Sequence, residues 1–135
     1  MTEITAALWE FWSQFQLDGQ PVPVYQSGVV PRDAVYPYFT IETPQADAFR
    51  QLPLAAMLWC RHDGVNTAPA LAQRMAIGDA VARVIAPVVG VRVNLPHGLL
   101  IVYRGSGDFL APLTDEDDPQ VIGLRIGYET TYYTA

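Results

Sequence analysis

Residues 121–133 of this chain read VIGLRIGYETTYY. Apolar and polar residues alternate along them, which is the period of a β-strand with one buried face. One face would carry Ile122, Leu124, Ile126 and Tyr128, and the other face Arg125, Glu129 and Thr131. At about 3.3 Å per residue the strand spans roughly 40 Å, the full width of a domain of this size. We therefore expect one long strand across the whole fold, with its last residues projecting beyond the core.

The preceding sequence predicts two helices and five further strands. The helices are expected over 3–16 and from Asn66 or Thr67 to Pro87, and the strands over 22–25, 36–43, 54–61, 91–95 and 99–104. A short edge strand is expected at 22–25, a polar connection at 44–53, and loops at 26–35 and 105–120. Strand 54–61 is mostly apolar on both faces, which is typical of a central strand. Because helices and strands do not alternate steadily, the predicted fold class is α+β, a mostly antiparallel β-sheet packed against two α-helices in a single domain, 1–135.

Both predicted helices show an apolar stripe. The first stripe consists of Ile4, Leu8, Phe11, Trp12 and Phe15, and the second of Leu71, Met75, Ile77 or Gly78, Val81 and Ile85. This spacing is typical of a helix that packs on a sheet. A glycine in mid-helix costs about 1 kcal/mol relative to alanine. We expect Gly78 to allow a close approach of the second helix to the sheet.

Composition excludes several classes of protein. Only 16% of the 135 residues are charged, the eight basic residues are all arginine, and the net charge is -6. These values argue against a basic nucleic-acid footprint and against an intrinsically disordered chain. Arg83 and Arg92 interrupt the longest apolar run, so no membrane span is expected. The start lacks the positive flank of a secretory signal, and the single cysteine, Cys60, suits a reducing cytoplasm.

Few charges on a small, half-apolar chain suggest more apolar surface than one core can hide. Large exposed apolar patches are rare on monomers, so the surplus predicts an oligomer. The absence of lysine points the same way, because interfaces are poor in lysine. A GC-rich genome, which favours arginine codons, is the simpler explanation for the missing lysines.

Few side chains in the sequence are candidates for catalysis or for binding a metal or cofactor. Cys60 and His62 lie two apart on one predicted strand, so a nucleophile–base pair is geometrically possible, but a buried structural cysteine is the favoured interpretation. A zinc site needs about four ligands, and His97 is the only other histidine. No dinucleotide, P-loop or G-x-S-x-G pattern occurs. We therefore predict no catalytic residue, no cofactor and no metal site.

The predicted loop 105–120 contains the acidic run Asp115, Glu116, Asp117 and Asp118. A loop of this length in a compact domain is usually functional or disordered. The run lacks the D-x-[DN]-x-[DN]-G register of a calcium loop. A solvated acidic loop is the favoured interpretation.

The order of elements resembles a known family. An amphipathic helix at 4–15 leads into a proline-rich edge segment ending at Tyr25, and VYPYFTI at 35–41 places a proline before an alternating aromatic strand. LWCRH at 58–62 precedes an alanine-rich helix that starts near Asn66, and a regular amphipathic strand follows a long loop. This pattern is similar to the tail terminator and tail-completion proteins of long-tailed bacteriophages and prophages, including the lambda-type terminator. The similarity covers nearly the whole chain as an order of elements, without a diagnostic short motif.

The resemblance implies a non-catalytic α+β subunit that forms a ring, typically a hexamer. Such a ring caps the tail tube at the end facing the head, ends tail polymerisation and docks the head–tail connector protein. The expected partners are copies of itself, the tail-tube protein and the connector, with no specific nucleic acid and no membrane. The expected location is the head-proximal end of the virion tail, assembled in the host cytoplasm. A long terminal strand available for edge pairing would suit a ring.

Two groups of residues are expected to serve this role. Val29, Val30, Phe109 and Leu110 are apolar residues in predicted long loops, and Tyr132 and Tyr133 end the last strand; all six are expected partner contacts. Asp115, Glu116, Asp117 and Asp118 are expected near the DNA passage. Six copies at -6 each would carry about -36, so that DNA would slide past.

Other functions remain open at this stage. A head–tail connector or stopper, or a minor capsid protein, matches the sequence nearly as well as a terminator. A different class would be a small cytoplasmic ligand-binding domain or enzyme, with a pocket under the 105–120 loop that uses Tyr103, Asp108 and His97.

Overall fold

The structure is a computed structural model that describes residues 3–42 and 52–134. The two helices of the described part are α1 (Glu3–Trp12) and α2 (Ala68–Val84). Its strands are β1 (Gln16–Leu17), β2 (Gln20–Pro21), β3 (Val24–Gln26), β4 (Tyr38–Ile41), β5 (Leu52–Arg61), β6 (Val91–Leu95), β7 (Gly98–Arg104), β8 (Leu110–Thr114) and β9 (Val121–Thr134).

Strand β9 is the centre of the main sheet. It pairs antiparallel with all ten residues of β5 on one side, from Arg61 opposite Val121 to Leu52 opposite Thr130. On its other side it pairs first with β8 and then with β7. The predicted long strand at 121–133 is thus confirmed. The expectation that it would be available for edge pairing is wrong, because neighbouring strands occupy both of its sides.

The main sheet has the order β3-β4-β5-β9-β7-β6, with β8 beside β9. All its pairings are antiparallel except that of β3 with β4. Strands β1 and β2 form a separate hairpin. Two helices and a mostly antiparallel sheet confirm the predicted α+β class.

Both helices pack on the same face of the sheet, which we call the helix face. The Trp12 ring of α1 lies 5.2 Å from the ring of Tyr128, and a Cβ on Gly78 of α2 would lie 3.1 Å from Leu124 Cδ2. Leu124 and Tyr128 are four residues apart on β9 and therefore share a face. The expected close approach at Gly78 is confirmed.

Arginine side chains hold α2 against the sheet near its middle and at its C-terminal end. Arg74 Nη1 donates to the Gly123 carbonyl oxygen of β9 at 3.2 Å. Arg104 of β7 donates from Nε to the Ile85 oxygen at 2.7 Å and from Nη2 to the Ala82 oxygen at 3.1 Å. The last carbonyls of a helix have no partner within the helix, so Arg104 satisfies groups that would otherwise need water.

Three boundaries differ from the sequence prediction. Helix α1 ends at Trp12 instead of residue 16, because Gln16 begins the β1–β2 hairpin, whose turn places Asp18 and Gly19 at φ 51° and 79°. Strand β4 is confined to Tyr38–Ile41 and β3 is shifted to Val24–Gln26. Most of the connection predicted at 44–53 lies outside the described residues, and its end belongs to β5.

The predicted loop 105–120 is wrong in its middle, which forms β8. Pro112 is the reason why the sequence did not predict this strand, because proline is typical of loops. The Gly127 amide donates to the Phe109 oxygen and the Asp115 amide to the Val121 oxygen. Backbone groups alternate in direction along a strand, so residues 109, 111, 113 and 115 face β9 while position 112 faces the free edge. A proline is tolerated there because no ladder donor is lost.

The predicted stripe of α2 is wrong at two positions. Leu71 is 40% exposed and Met75 is 68% exposed, whereas Ala70, Ile77, Gly78 and Val81 are buried. Only three of the seventeen α2 residues are charged, so apolar residues surround the helix. Periodicity could therefore not select the side that faces the sheet.

No helix in the described ranges, 3–42 and 52–134, combines the length and the apolar character needed to cross a bilayer.

Gly123 gives a direct test of this packing. A Cβ there would lie 2.8 Å from two Trp59 ring carbons and 3.1 Å from the Leu58 oxygen. We expect Gly123→Ala to lower the free energy of unfolding by about 1–3 kcal/mol, because overpacking must shift the indole or the backbone. Urea unfolding at fixed protein concentration measures it.

Gly107→Ala is the matched control, because nothing lies within 4 Å of its added Cβ. Its free energy of unfolding should change by less than about 1 kcal/mol. Equal unfolding midpoints for the two variants would contradict the placement of Trp59 over Gly123.

Candidate functional site

The second face of the main sheet, which we call the open face, presents Tyr38, Met57, Trp59, Tyr103, Arg125 and Glu129. Paired residues of neighbouring strands share a face, and the register pairs Tyr38 with Trp59, Met57 with Arg125 and Tyr103 with Glu129. Neither described helix packs there. Arg125 is exposed, and Met57, Trp59 and Tyr103 are half-buried. The open face therefore leaves apolar side chains partly uncovered.

One end of the open face is aromatic. The Tyr38 ring lies 5.4 Å from that of Tyr25 and 4.9 Å from that of Tyr36, and Trp59 Nε1 donates to Thr40 Oγ1 at 3.3 Å. The Arg61 guanidinium stands 5.8 Å from the Tyr36 ring. Burial, together with a hydrogen bond with Tyr36, raises the pKa of Tyr38 well above its ordinary value, so its hydroxyl stays uncharged at neutral pH. Tyrosine, tryptophan and arginine are the residues that dominate interface energetics.

The outer side of α2 forms a second uncovered apolar surface, which we call the outer helix face. It contains Leu71, Ala72, Met75, Ala76 and Asp79, all exposed. A groove of about 330 Å³ runs between it and the sheet, with Gly78, Leu110 and Leu124 among its lining residues. A helix that is apolar all round is normally buried all round. The outer helix face therefore has the composition of a surface that is covered in an assembly.

The expected contact residues fall on different parts of the molecule. Val29 is 67% exposed in the connection between β3 and β4, and Val30 beside it is half-buried. Tyr133 is 54% exposed on the open-face side of β9. Tyr132 lies on the helix face, where its hydroxyl donates to Glu3 Oε1 at 3.0 Å. This hydrogen bond ties the end of β9 to the start of α1.

Phe109 and Leu110 do not lie in a long loop as expected. The Arg104 guanidinium lies 4.2 Å from the centre of the Phe109 ring, and Leu110 is the first residue of β8. Both pack against the core. Leu110 also lines the groove beside α2, so the structure places it next to an uncovered surface for a different reason from the one the sequence suggested.

The acidic run forms the turn between β8 and β9. Asp115 Oδ1 accepts the Asp117 amide at 2.9 Å, and Asp118 Oδ1 accepts the Gln120 amide at 3.0 Å. Arg61 Nη1 donates to Asp118 Oδ2 at 2.6 Å, and this bond lowers the pKa of Asp118. Glu116 and Asp117 are exposed at the tip. Among residues 3–42 and 52–134, no cluster of three or more histidine, cysteine or acidic side chains is arranged to hold a metal ion.

Cys60 and His62 do not form a working pair. Cys60 lies on the helix face of β5 with no exposed surface, and burial raises the pKa of its thiol to about 11. His62 lies beyond the end of β5, where its Nδ1 accepts the Gly64 amide at 3.0 Å. The thiol is therefore protonated at neutral pH, and the imidazole accepts a backbone hydrogen bond in the turn that follows β5.

The residues expected to line a pocket under the 105–120 loop are spread out. His97 is at the turn before β7 and Tyr103 is near the other end of that strand, so roughly 20 Å separate them. Tyr103 bonds through its hydroxyl to Thr131 Oγ1 at 2.7 Å. Asp108 is exposed in the β7–β8 connection. The three do not converge.

Fold and surfaces together define an α+β protein. Within residues 3–42 and 52–134, helices cover one face of its sheet, and the uncovered apolar surfaces lie on opposite sides. Comparisons of the chain with protein-family models, with curated proteins and with solved structures each gave no match.

The sequence carries one signal for the open face, which lies in strand β5. This strand is apolar on both faces, and such strands belong to sheets that are covered on both sides. The sequence predicts two helices, and if both pack on one face of the sheet, no predicted element covers the other face. The residues that this reasoning singles out are Met57 and Trp59, and neither was among the expected contacts.

Thiol labelling checks the position of Cys60. We expect less than about 5% of the native protein to react with an aromatic disulfide reagent at pH 8 within minutes, because about one thiol in a thousand is ionised there and none is exposed. Denaturation in guanidinium should release one equivalent of thiol. Rapid labelling of the native protein would contradict the buried placement.

Proposed function

We propose that this protein is a structural assembly subunit that forms a closed ring of about six copies and acts as a phage tail terminator. In this role the ring caps the tail tube at its head-proximal end, stops tail polymerisation and offers a docking surface to the head–tail connector protein. The subunit then resides in the virion tail after assembly in the bacterial cytoplasm.

The observation that carries the proposal is the one-sided cover of an apolar sheet. Strand β5 has apolar residues on both faces, and the described helices cover only one of them. The outer helix face adds a second apolar surface on the opposite side of the molecule. Two different uncovered surfaces on one subunit suit head-to-tail association, and head-to-tail contacts close into rings when the rotation between copies allows.

The family resemblance gives this ring its place in a tail. It rests on the order of helix, proline-rich segment, aromatic strand, alanine-rich helix and long final strand. A head–tail connector or stopper, or a minor capsid protein, is the alternative within the phage role, and the tail-tube partner distinguishes the terminator among them.

Solution mass tests the ring. We expect a species of about 89 kDa for six copies of the 14.9 kDa chain by sedimentation velocity and light scattering, with a central channel in negatively stained images. A fully monomeric protein at 100 μM would contradict the proposal.

Tube length tests the terminator role. If this protein is added to purified tail-tube protein from the same genome while the tail-tube protein polymerises, we expect shorter tubes with a ring at one end. Unchanged tube lengths would favour a connector or stopper.

The acidic turn yields a separate expectation about DNA. Six copies carry about -36 charges, and Glu116 and Asp117 stand exposed at the turn, so the ring should repel the phosphate backbone. We expect no retardation of duplex DNA in a mobility-shift assay at 50 mM salt. Strong binding under these conditions would contradict a passage through which DNA slides.

A further inference from the structure

The subunit has one uncovered apolar surface on each side of its sheet, the open face on one side and the outer helix face on the other. An interface requires an occupant for each of them. The outer helix face carries one exposed acid, Asp79. The open face carries three exposed arginines: Arg61, which is bound to Asp118, Arg92 on the edge strand β6, and Arg125 on the central strand β9.

We propose that the outer helix face of one copy packs on the open face of the next copy, with Asp79 of the first facing Arg125 of the second. The neighbouring helix thus supplies the missing second layer of the sheet. This inference rests on the self-association in the proposed function, and it is independent of the tail-terminator role.

Strand addition at the sheet edges is the competing way to join copies, and the edges are poorly suited to it. Strand β8 has Pro112 at a position whose backbone faces the free edge, so a donor is missing there. Strand β3 has three residues, and the Gln26 oxygen already accepts the Val29 amide at 3.0 Å. Strand β6 carries the exposed Arg92 at the other end of the sheet, a typical device against edge pairing. The faces are therefore the better candidates.

The two faces match in length. Helix α2 has 17 residues and is about 25 Å long, while β5 has 10 residues and is about 33 Å long. A helix of this length can lie along the sheet over most of the strand. Leu71 and Met75 would then meet the apolar side chains of β5, Met57 and Trp59, and remove them from water.

Charge supplies the orientation. Arg61, Arg74 and Arg104 each donate hydrogen bonds within their own chain, to a side chain or to backbone oxygens. Arg125 is exposed on the opposite side of the sheet from Asp79, so the two cannot pair within one copy. Their pairing between copies is possible at every contact of a head-to-tail ring, because each copy contributes one of each.

Charge reversal tests this pairing. Asp79→Arg and Arg125→Asp each place like charges opposite one another, and we expect each variant alone to weaken self-association by about tenfold or more. An equimolar mixture of the two should reassemble. The arginine introduced at position 79 of one variant then meets the aspartate introduced at position 125 of the other, while the unchanged Asp79 and Arg125 meet at the alternate contacts. The double variant should also reassemble. Sedimentation velocity over a concentration series gives the association constants.

Matched controls keep general charge effects apart. Glu10→Arg changes an exposed acid on α1, and Arg32→Asp changes an exposed arginine in the connection between β3 and β4. Both residues lie outside the proposed contact, and both variants should assemble as the wild type does. Circular dichroism and urea unfolding of every variant show that it is folded.

The outcomes separate the two proposals. The helix-to-sheet contact is supported if each single variant self-associates more weakly than the wild type and the equimolar mixture of the two assembles again. Rings that neither reversal affects would overturn this contact and leave the ring itself standing, whereas a wild-type monomer would overturn the ring. A sheet-to-sheet contact between two open faces predicts that Asp79→Arg assembles as the wild type does, because position 79 takes no part in that contact, and this result would also overturn the inference.

Discussion

The ladder between β5 and β9 is the interaction on which the rest of the structure depends. Ten consecutive residue pairs fix the register, and a slip of one residue would move every side chain to the opposite face. In this register Leu58 and Leu124 lie under the helices, while Trp59 and Arg125 lie on the open face. The same ladder therefore defines both the core and the surface that remains uncovered. An apolar strand with cover on one face only is the physical reason to expect a further layer, and no described element of the same chain provides it.

The elements that could be predicted are those whose pattern agrees with their surroundings. Strand β9 alternates cleanly, because one of its faces meets helices and the other carries polar side chains among glycines. Strand β8 could not be found in the same way, since Pro112 and the neighbouring acidic run have the composition of a loop. The edge position that tolerates this proline is a property of the partner strand, which local sequence does not contain. The side of α2 that faces the sheet could not be predicted either, because a helix with apolar residues all round has no single apolar stripe.

The site was harder to predict than the fold, for a related reason. The sequence prediction places the contact residues in loops, where no core requires an apolar side chain. The structure instead places Leu110 in a strand and stacks Phe109 beneath Arg104, so these two residues are needed by the fold itself. The more informative residues, Met57 and Trp59, lie in a strand whose sequence resembles ordinary core. A residue that is typical of core in the sequence, yet lies on a face without cover, marks a contact surface better than an apolar residue in a loop.

The distribution of arginine connects the fold with assembly. Arg74 and Arg104 bind backbone oxygens of β9 and α2, so they hold the helix to its own sheet while most of the outer side of that helix stays free. Holding α2 in this way fixes the outer helix face relative to the open face across the thickness of one subunit. A fixed relation between two different contact surfaces sets the rotation from one copy to the next, and that rotation decides whether head-to-tail contacts close into a ring or continue as a filament. Side chains that stabilise the monomer would thus also determine the geometry of the proposed assembly.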